Sequence, residues 1–242
     1  MNQEQTGTPF ENFARYYDRF MLRLVNYPAW VDYLIKIFNA YNLAPKTILD
    51  VACGTGIPSM LFAKKGYRVI GIDNSQTMLD VFKQKIVHTQ YDIQIIKSDI
   101  RNFSTSEKVY PAPFSSPNNL PNEPLQHQLK PNKNWCVVDA AISLYDSINY
   151  LLTEDDLKSC FFSVFTSLNP EGLFAFDVNS IFCLESFWSN HETPRKVGGV
   201  YSIWRNTYNK EERISTLQLT VFTDDGGYFV ETIKSAAIPK MN

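Results

Sequence analysis

Ile48-Leu49-Asp50-Val51-Ala52-Cys53-Gly54-Thr55-Gly56 is the stretch on which the reading of this chain turns. Thr47 to Val51 is a short apolar run of β type, and Gly54-Thr55-Gly56 breaks it. Ile57 to Lys65 then has the composition of a helix, closed by Gly66 in the place of a left-handed cap. A glycine-rich turn between a strand and a helix lets the backbone approach a ligand closely at the carboxyl edge of a parallel sheet.

The same unit repeats downstream. Arg68 to Asp73 reads as a second strand, and Asn74 or Ser75 caps a helix reaching about His88. Ile93 to Lys97 is a third strand, followed by Ser98-Asp99-Ile100. Cys136 to Leu144 is a fourth, with Asp139 and Ser143 as its polar residues. Thr153 caps the next helix, with Asp156 near the capping-box position, and Asn169-Pro170 ends it before a fifth strand from Leu173 to Asn179. Apolar strands alternating with helices predict an α/β fold, a doubly wound parallel Rossmann-like sheet with helices on both faces. Upstream, an aromatic helix is expected over Phe10 to Met21, and a second from Asn26-Tyr27-Pro28 to Tyr41. Two stretches break the rhythm. Ser104 to Asn134, rich in Pro, Asn, Ser and Gln, reads as a mobile surface insertion. After Asn179, Val200–Tyr208, Arg213–Thr223 and Tyr228–Ser235 predict a C-terminal antiparallel three-strand insert. The whole is expected to be one domain: a helical cap over 1–45, a cofactor-binding core over 46–180, and a substrate-side element over 181–242.

The acids at the strand ends separate the ligands that use such a turn. A dinucleotide sets a pyrophosphate on the helix N-terminus and wants a third glycine, where this chain has Ser59 after Pro58. Asp50 ends the first strand, where a carboxylate repels phosphate but suits a ligand carrying an ammonium group. S-adenosylmethionine has an ammonium, a sulfonium and no phosphate. Asp73, ending the second strand, is placed to accept ribose hydroxyls. Asp99, just past the third, is placed to accept from the exocyclic amine of adenine, with Ile100 packing on the ring. The three acids are expected to have no basic neighbours in their turns.

On these residues the chain resembles the class I S-adenosylmethionine-dependent methyltransferases. The matching motifs are Ile48 to Gly56, Val69 to Ser75, Ser98-Asp99-Ile100 and the fourth-strand segment Asp139 to Leu151. The resemblance is strongest to small-molecule members such as glycine and aminosugar N-methyltransferases. It implies S-adenosyl-L-methionine as cofactor, held by Tyr16, Asp50, Ala52, Cys53, Gly54, Gly56, Asp73, Asn74, Met78, Asp99, Ile100 and Leu144. Tyr17 and Tyr150 are implied on the catalytic side, with Asp146, Ser147 and Asn149 nearby. Cys53 reads as a small packing residue, not a nucleophile, because no histidine accompanies it. The family pattern also implies a final helix and two strands completing a seven-stranded sheet, for which Ala236 to Asn242 leaves no room.

Bulk properties narrow the partner. A net charge of -2 gives no general basic field for nucleic acid or an anionic membrane. No apolar run approaches the roughly 20 residues a membrane helix needs. The four cysteines have no Cys-x-x-Cys spacing for a metal or a redox pair, and suit a reducing cytoplasm. The expected reaction is methyl transfer to an N or O nucleophile of a small molecule, an amine being favoured because no histidine stands in the motifs to serve a hydroxyl. A methyltransferase of modified tRNA and a non-catalytic S-adenosylmethionine-binding protein are the alternatives, and the reading leaves a homodimer open.

Overall fold

The computed structural model describes residues 9–105 and 138–237. Five parallel strands form one sheet: β1 (Thr47–Val51), β2 (Arg68–Asp73), β3 (Ile93–Lys97), β4 (Val138–Ser143) and β5 (Leu168–Phe176). Their spatial order is β3-β2-β1-β4-β5. The chain runs outward from β1 to β3, then crosses back to pair β4 with β1 through Ile48↔Ala140 and Asp50↔Ile142. The order therefore reverses between β1 and β4, and the crevice at their carboxyl ends is where such sheets bind ligands.

The strands are apolar on both faces because both faces are covered. On one side Val31, Leu34 and Phe38 of α2 (Tyr27–Ala40) and Phe62 of α3 (Ile57–Lys64) bury Ile48, Val69, Ala140 and Ile142. On the other, Leu157, Cys160 and Val164 of α5 (Glu154–Ser167) bury Leu49, Val51, Ile70 and Ile72. Leu49 and Ile70 are wholly enclosed, and truncating such a side chain to Ala costs about 2–5 kcal/mol. Helix starts follow the caps written in the sequence. Asn26 Oδ1 accepts the Ala29 N–H at 3.2 Å, Ser75 Oγ the Met78 N–H at 3.3 Å at the head of α4 (Gln76–Ile86), and Thr153 Oγ1 the Asp156 N–H at 3.1 Å.

Several boundaries differ from expectation. The first helix, α1, spans Ala14–Leu24; Phe10 has φ 61, a left-handed backbone that a helix cannot contain. β5 begins directly after α5, but Glu171 turns left-handed at φ 67 and the register with β4 shifts before Ala140↔Leu173. The antiparallel sheet has four strands, not three: β6 (His191–Val197), β7 (Val200–Asn209), β8 (Ile214–Phe222) and β9 (Tyr228–Ala236), in that order. Charged residues and Pro194 hide β6 from a pattern search, and an edge strand tolerates both. Among the described residues the parallel sheet has five strands. The expectation for the insertion falls on residues outside the described ones from 106 onward, as does Cys136.

The antiparallel sheet is anchored to the rest of the fold by its inner face. Phe13, Tyr16 and Phe20 pack with Val200, Leu219 and Val221. The buried Glu231 accepts the Asn12 N–H. Asn149, beyond β4, donates to the Ala236 carbonyl at 2.8 Å. Residues 10–20 thus bridge the two sheets.

Candidate functional site

The turn after β1 is wound by three left-handed residues, Ala52 (φ 60), Gly54 (φ 53) and Gly56 (φ 76). A Cβ on Gly56 would stand 2.3 Å from the Phe82 ring, so this glycine lets α3 close on α4. A Cβ on Gly54 would meet nothing within 4 Å, so that position faces open space. Cys53 donates its N–H to the Ile72 carbonyl at 2.9 Å and is buried against Leu79 and Phe82, the packing role expected of it. From above, Thr55 Oγ1 donates to Asp18 Oδ1 at 2.6 Å, and Lys85 Nζ reaches Asp18 Oδ2 at 2.7 Å. One α1 carboxylate therefore clasps both the turn and α4.

The three strand-end acids occupy three different environments. Asp73 accepts the Gly54 N–H and the Ser75 N–H, both at 2.8 Å, and stays partly open to solvent. A pyrophosphate would need the very N–H that this carboxylate takes. Asp50 departs from its expected role. It is 1% exposed, and Ser59 Oγ donates to its Oδ2 at 2.5 Å, so it fixes the start of α3 instead of meeting an ammonium group. Burial pushes its carboxyl up to about 7, with Ser59 opposing and Asp73 adding to the rise. Asp99 is gripped by Arg101, which donates from its backbone N–H and from Nε at 2.9 Å and from Nη2 at 2.5 Å. Those hydrogen bonds hold its carboxyl below the ordinary value. Arg101 also bonds Asp156 at 3.0 Å. The expectation of no basic neighbour fails here, and the adenine contact expected of Asp99 would compete with a guanidinium.

The remaining expected cofactor residues divide. Asn74 is exposed beside Asp73, and Met78 lies buried in the first turn of α4. Ile100 packs on the core beneath α5, and Leu144 is buried on the α2–α3 side. Tyr16 is not brought to the turn. It stacks on Phe229 at 6.1 Å, with the guanidinium groups of Arg15 and Arg19 over its ring. Adjacent helical residues project about 100° apart, so one of the Tyr16-Tyr17 pair had to face away.

Tyr17 faces the carboxyl edge and opens a cluster wider than the sequence showed. It packs in one cluster with Tyr27, and burial raises both phenols. Phe10 lies edge-on to Tyr17 at 5.9 Å and to Tyr150 at 6.0 Å, and Tyr27 meets Tyr145 at 6.2 Å. Ile57, the first residue after the glycine turn, packs against the same group. Tyr145 (φ 66) and Asp146 (φ 52) are both left-handed, a strained pair. Asp177, at the end of β5, holds them by accepting the Tyr145 N–H at 2.6 Å and the Asp146 N–H at 2.9 Å. Asn179 Nδ2 donates to Asp146 Oδ2 at 2.7 Å, and Asn149 Oδ1 accepts the Asn179 N–H at 2.9 Å. Burial, reinforced by Asp177, raises the Asp146 carboxyl to about 7. Tyr27, Tyr145 and Asp177 join this cluster without having been expected there. Asp177 carried a signal, being a fourth acid at a strand end.

A doubly wound parallel sheet, with an open glycine turn whose N–H is taken by a carboxylate, defines a nucleoside-binding site built against phosphate. Comparison with known proteins agrees: a methyltransferase-domain family profile matches residues 48–131. A Bacillus subtilis (strain 168) protein carrying the name methyltransferase YqeM is 28% identical over 218 residues, covering 90% of this chain and 74% of its own. An S-adenosylmethionine-dependent methyltransferase from Clostridium acetobutylicum ATCC 824 superposes with TM-score 0.72 at 25% identity, over 96% of this chain and 83% of that one. The sugar N-methyltransferase KedS8 from Streptoalloteichus sp ATCC 53650 shares the fold, with TM-score 0.68 at 15% identity over 99% and 82% of the two chains. The profile, the relatives and the shared fold together support a class I S-adenosylmethionine-dependent methyltransferase. Among its described residues no helix is long and apolar enough to cross a membrane.

Proposed function

We propose that this methyltransferase acts on the nitrogen of a small-molecule amine, in the space between Tyr17, Tyr150 and Asp146. The observation that carries this reading is the aromatic and carboxylate lining placed beside the glycine turn, with Ile57 joining the two. Aromatic faces and a carboxylate suit an ammonium or amine. The described lining holds no histidine to activate a hydroxyl. The names of structural neighbours, sugar N-methyltransferase KedS8 among them, support the same class of acceptor.

The cofactor fits the residues present. Asp73 keeps lone pairs beyond the two N–H groups it accepts, enough for ribose hydroxyls. Gly54 leaves its side of the turn open. Asp99 with Ile100, and Asn74 with Met78, would flank the nucleoside, and the backbone of Ala52 and Leu144 would border the methionine part. When bound, S-adenosylmethionine supplies an electrophilic methyl group on a good leaving group. The chain's own contribution is to place the amine in line with it and exclude water, an effect of orientation rather than of acid–base chemistry. An amine nitrogen that gains a methyl group would have to shed one proton. Asp146 is the carboxylate placed to take it. Tyr17 and Tyr150 hold the nitrogen by their hydroxyls and ring faces.

We place the reaction in the cytoplasm, a reading supported by the buried thiols of Cys53 and Cys160, whose ionisation burial opposes. Incubating the protein with labelled S-adenosylmethionine and pooled amines, alcohols and tRNA tests the reading. Label on amines supports it, and label confined to alcohols or tRNA overturns it.

A further inference from the structure

Asp146 is held at three points. Asp177 Oδ2 accepts its N–H at 2.9 Å, its carbonyl accepts the Asn149 N–H at 2.9 Å, and its Oδ2 accepts from Asn179 Nδ2 at 2.7 Å. Among the described residues no donor reaches its Oδ1. The Asn179 amide is itself oriented from behind. The Cys183 thiol donates to Asn179 Oδ1 at 3.4 Å, and the Trp188 indole N–H donates to that sulfur at 3.0 Å. Cys183 and Trp188 are the two ends of a π-helical turn, whose wider winding brings residues five apart together. An amide whose oxygen is taken by a donor must turn its nitrogen toward an acceptor. The donor direction therefore runs from Trp188 through Cys183 and Asn179 to Asp146. The backbone of Asn179 is clamped as well. Asn149, fully buried, accepts the Asn179 N–H at 2.9 Å and donates to the Asn179 carbonyl at 3.1 Å. The same Asn149 Nδ2 donates to the Ala236 carbonyl at 2.8 Å, which anchors the clamp on β9.

We infer that Asn179 is a positioning residue for methyl transfer: its amide fixes the Asp146 carboxylate by Oδ2 and leaves Oδ1 as the oxygen free to take the acceptor's proton. This rests on the proposed role of Asp146 and adds the residue that sets its orientation and its basicity. Donation to a carboxylate favours the charged form. The other titratable groups around Asp146 are Asp177, Tyr145 and Tyr150, and burial and Asp177 push its carboxyl to about 7 against the pull of Asn179. At neutral pH the carboxylate then stands close to half ionised. One hydrogen bond there changes the fraction able to accept a proton.

The test uses the full chain with carboxyl-labelled aspartate, whose Asp146 signal is assigned by its loss in Asp146→Asn and followed by NMR across pH. Asn179→Ala should raise the Asp146 midpoint by about 1 pH unit, the worth of one charge-assisted hydrogen bond at a half-buried site. Asn179→Asp keeps the shape but puts a like charge in place of the donor, and should raise it further. Cys183→Ala leaves the amide free to turn and should give a smaller rise. The second readout is the initial rate with labelled S-adenosylmethionine and pooled small amines. With the midpoint moved from about 7 to about 8, the ionised fraction at pH 7 falls from about a half to about a tenth. The rate of Asn179→Ala relative to the parent should therefore be about one-fifth at pH 7 and approach the parent's by about pH 9. A merely structural defect would lower the rate equally at every pH, and that result overturns the inference. An unmoved Asp146 midpoint in all three variants overturns it too, whatever is methylated, and leaves the amine reading standing. Absence of label on every amine, with the midpoint moved as expected, overturns the amine reading instead.

Discussion

Asp73 at the end of β2 accepts the N–H of Gly54 at 2.8 Å, so a side chain of the second strand shapes the turn that follows the first. The same carboxylate holds the Ser75 N–H at the head of α4. Two backbone donors that would otherwise be free for an anionic ligand are thereby occupied, and the charge presented to the crevice is negative.

Asp73→Asn removes this charge and leaves only one side-chain oxygen for two N–H groups. The expected loss is about 1.5–3 kcal/mol of cofactor binding, a fall of roughly 10- to 150-fold in affinity for S-adenosylhomocysteine by calorimetry. Asp80→Asn, at an exposed position where Asp80 bonds Gln76, should leave affinity unchanged. Equal weakening by both variants would mean that a general charge effect, not the turn, is at work.

The two glycines of the turn should fail differently. Gly56→Ala drives a methyl into Phe82 and forces an unfavourable φ, so the melting temperature should drop sharply. Gly54→Ala has room in the free protein and pays only about 1 kcal/mol for its left-handed backbone. Its damage should appear in cofactor affinity. A Gly54→Ala protein that binds S-adenosylhomocysteine like the parent would show that the open space is not the cofactor's.

Stability of the cofactor-free chain should fall as pH rises. Burial raises the carboxyls of Asp50 and Asp146 to about 7. Between the ordinary carboxylate range and that value the native state holds protons that the unfolded chain has lost. The stabilisation is complete below the unfolded values and disappears as pH climbs through 7. Melting temperature should therefore decline from about pH 5 to about pH 8, and Asp50→Asn or Asp146→Asn should each flatten the decline. Asp99, held low by Arg101, acts with the opposite sign at more acidic pH, outside this window. A melting temperature that rises from pH 5 to 8 would contradict the burial of these acids.

Asp18 joins Thr55 and Lys85, so α1 is fastened to the glycine turn by one side chain. Asp18→Ala should expose α1 to limited proteolysis between Ala14 and Leu24 and weaken cofactor binding while the parallel core stays folded. Unchanged cleavage would show that the aromatic packing of Phe13 and Phe20 alone holds α1 down.

Much of this was legible because it is local. Asn26, Ser75 and Thr153 announce their helices through bonds made within three residues, and the strand-end acids follow from the βα rhythm. What the sequence hid depends on distant partners. Nothing near Asp50 says that Ser59 will turn inward to it. Nothing in Tyr16-Tyr17 says which ring faces the sheet and which the crevice, because that depends on Phe229 and Tyr27. Arg195 sits on a strand whose charges and proline concealed it, and its partner there is Trp204 on the neighbouring strand. Asp177 was readable by the rule applied to Asp50 and Asp73, since it too closes a strand.

The central claim is transfer of a methyl group to nitrogen at the tyrosine and carboxylate site, and mass spectrometry of the labelled product tests it most directly. The parent chain is incubated with methyl-labelled S-adenosylmethionine and a mixture of small amines and hydroxyl compounds, beside Tyr150→Phe and Asp146→Asn. The expected result is label on an amine nitrogen, made at a reduced kcat by both variants while each still binds S-adenosylhomocysteine like the parent. Label on oxygen, or undiminished turnover by both variants, would contradict it.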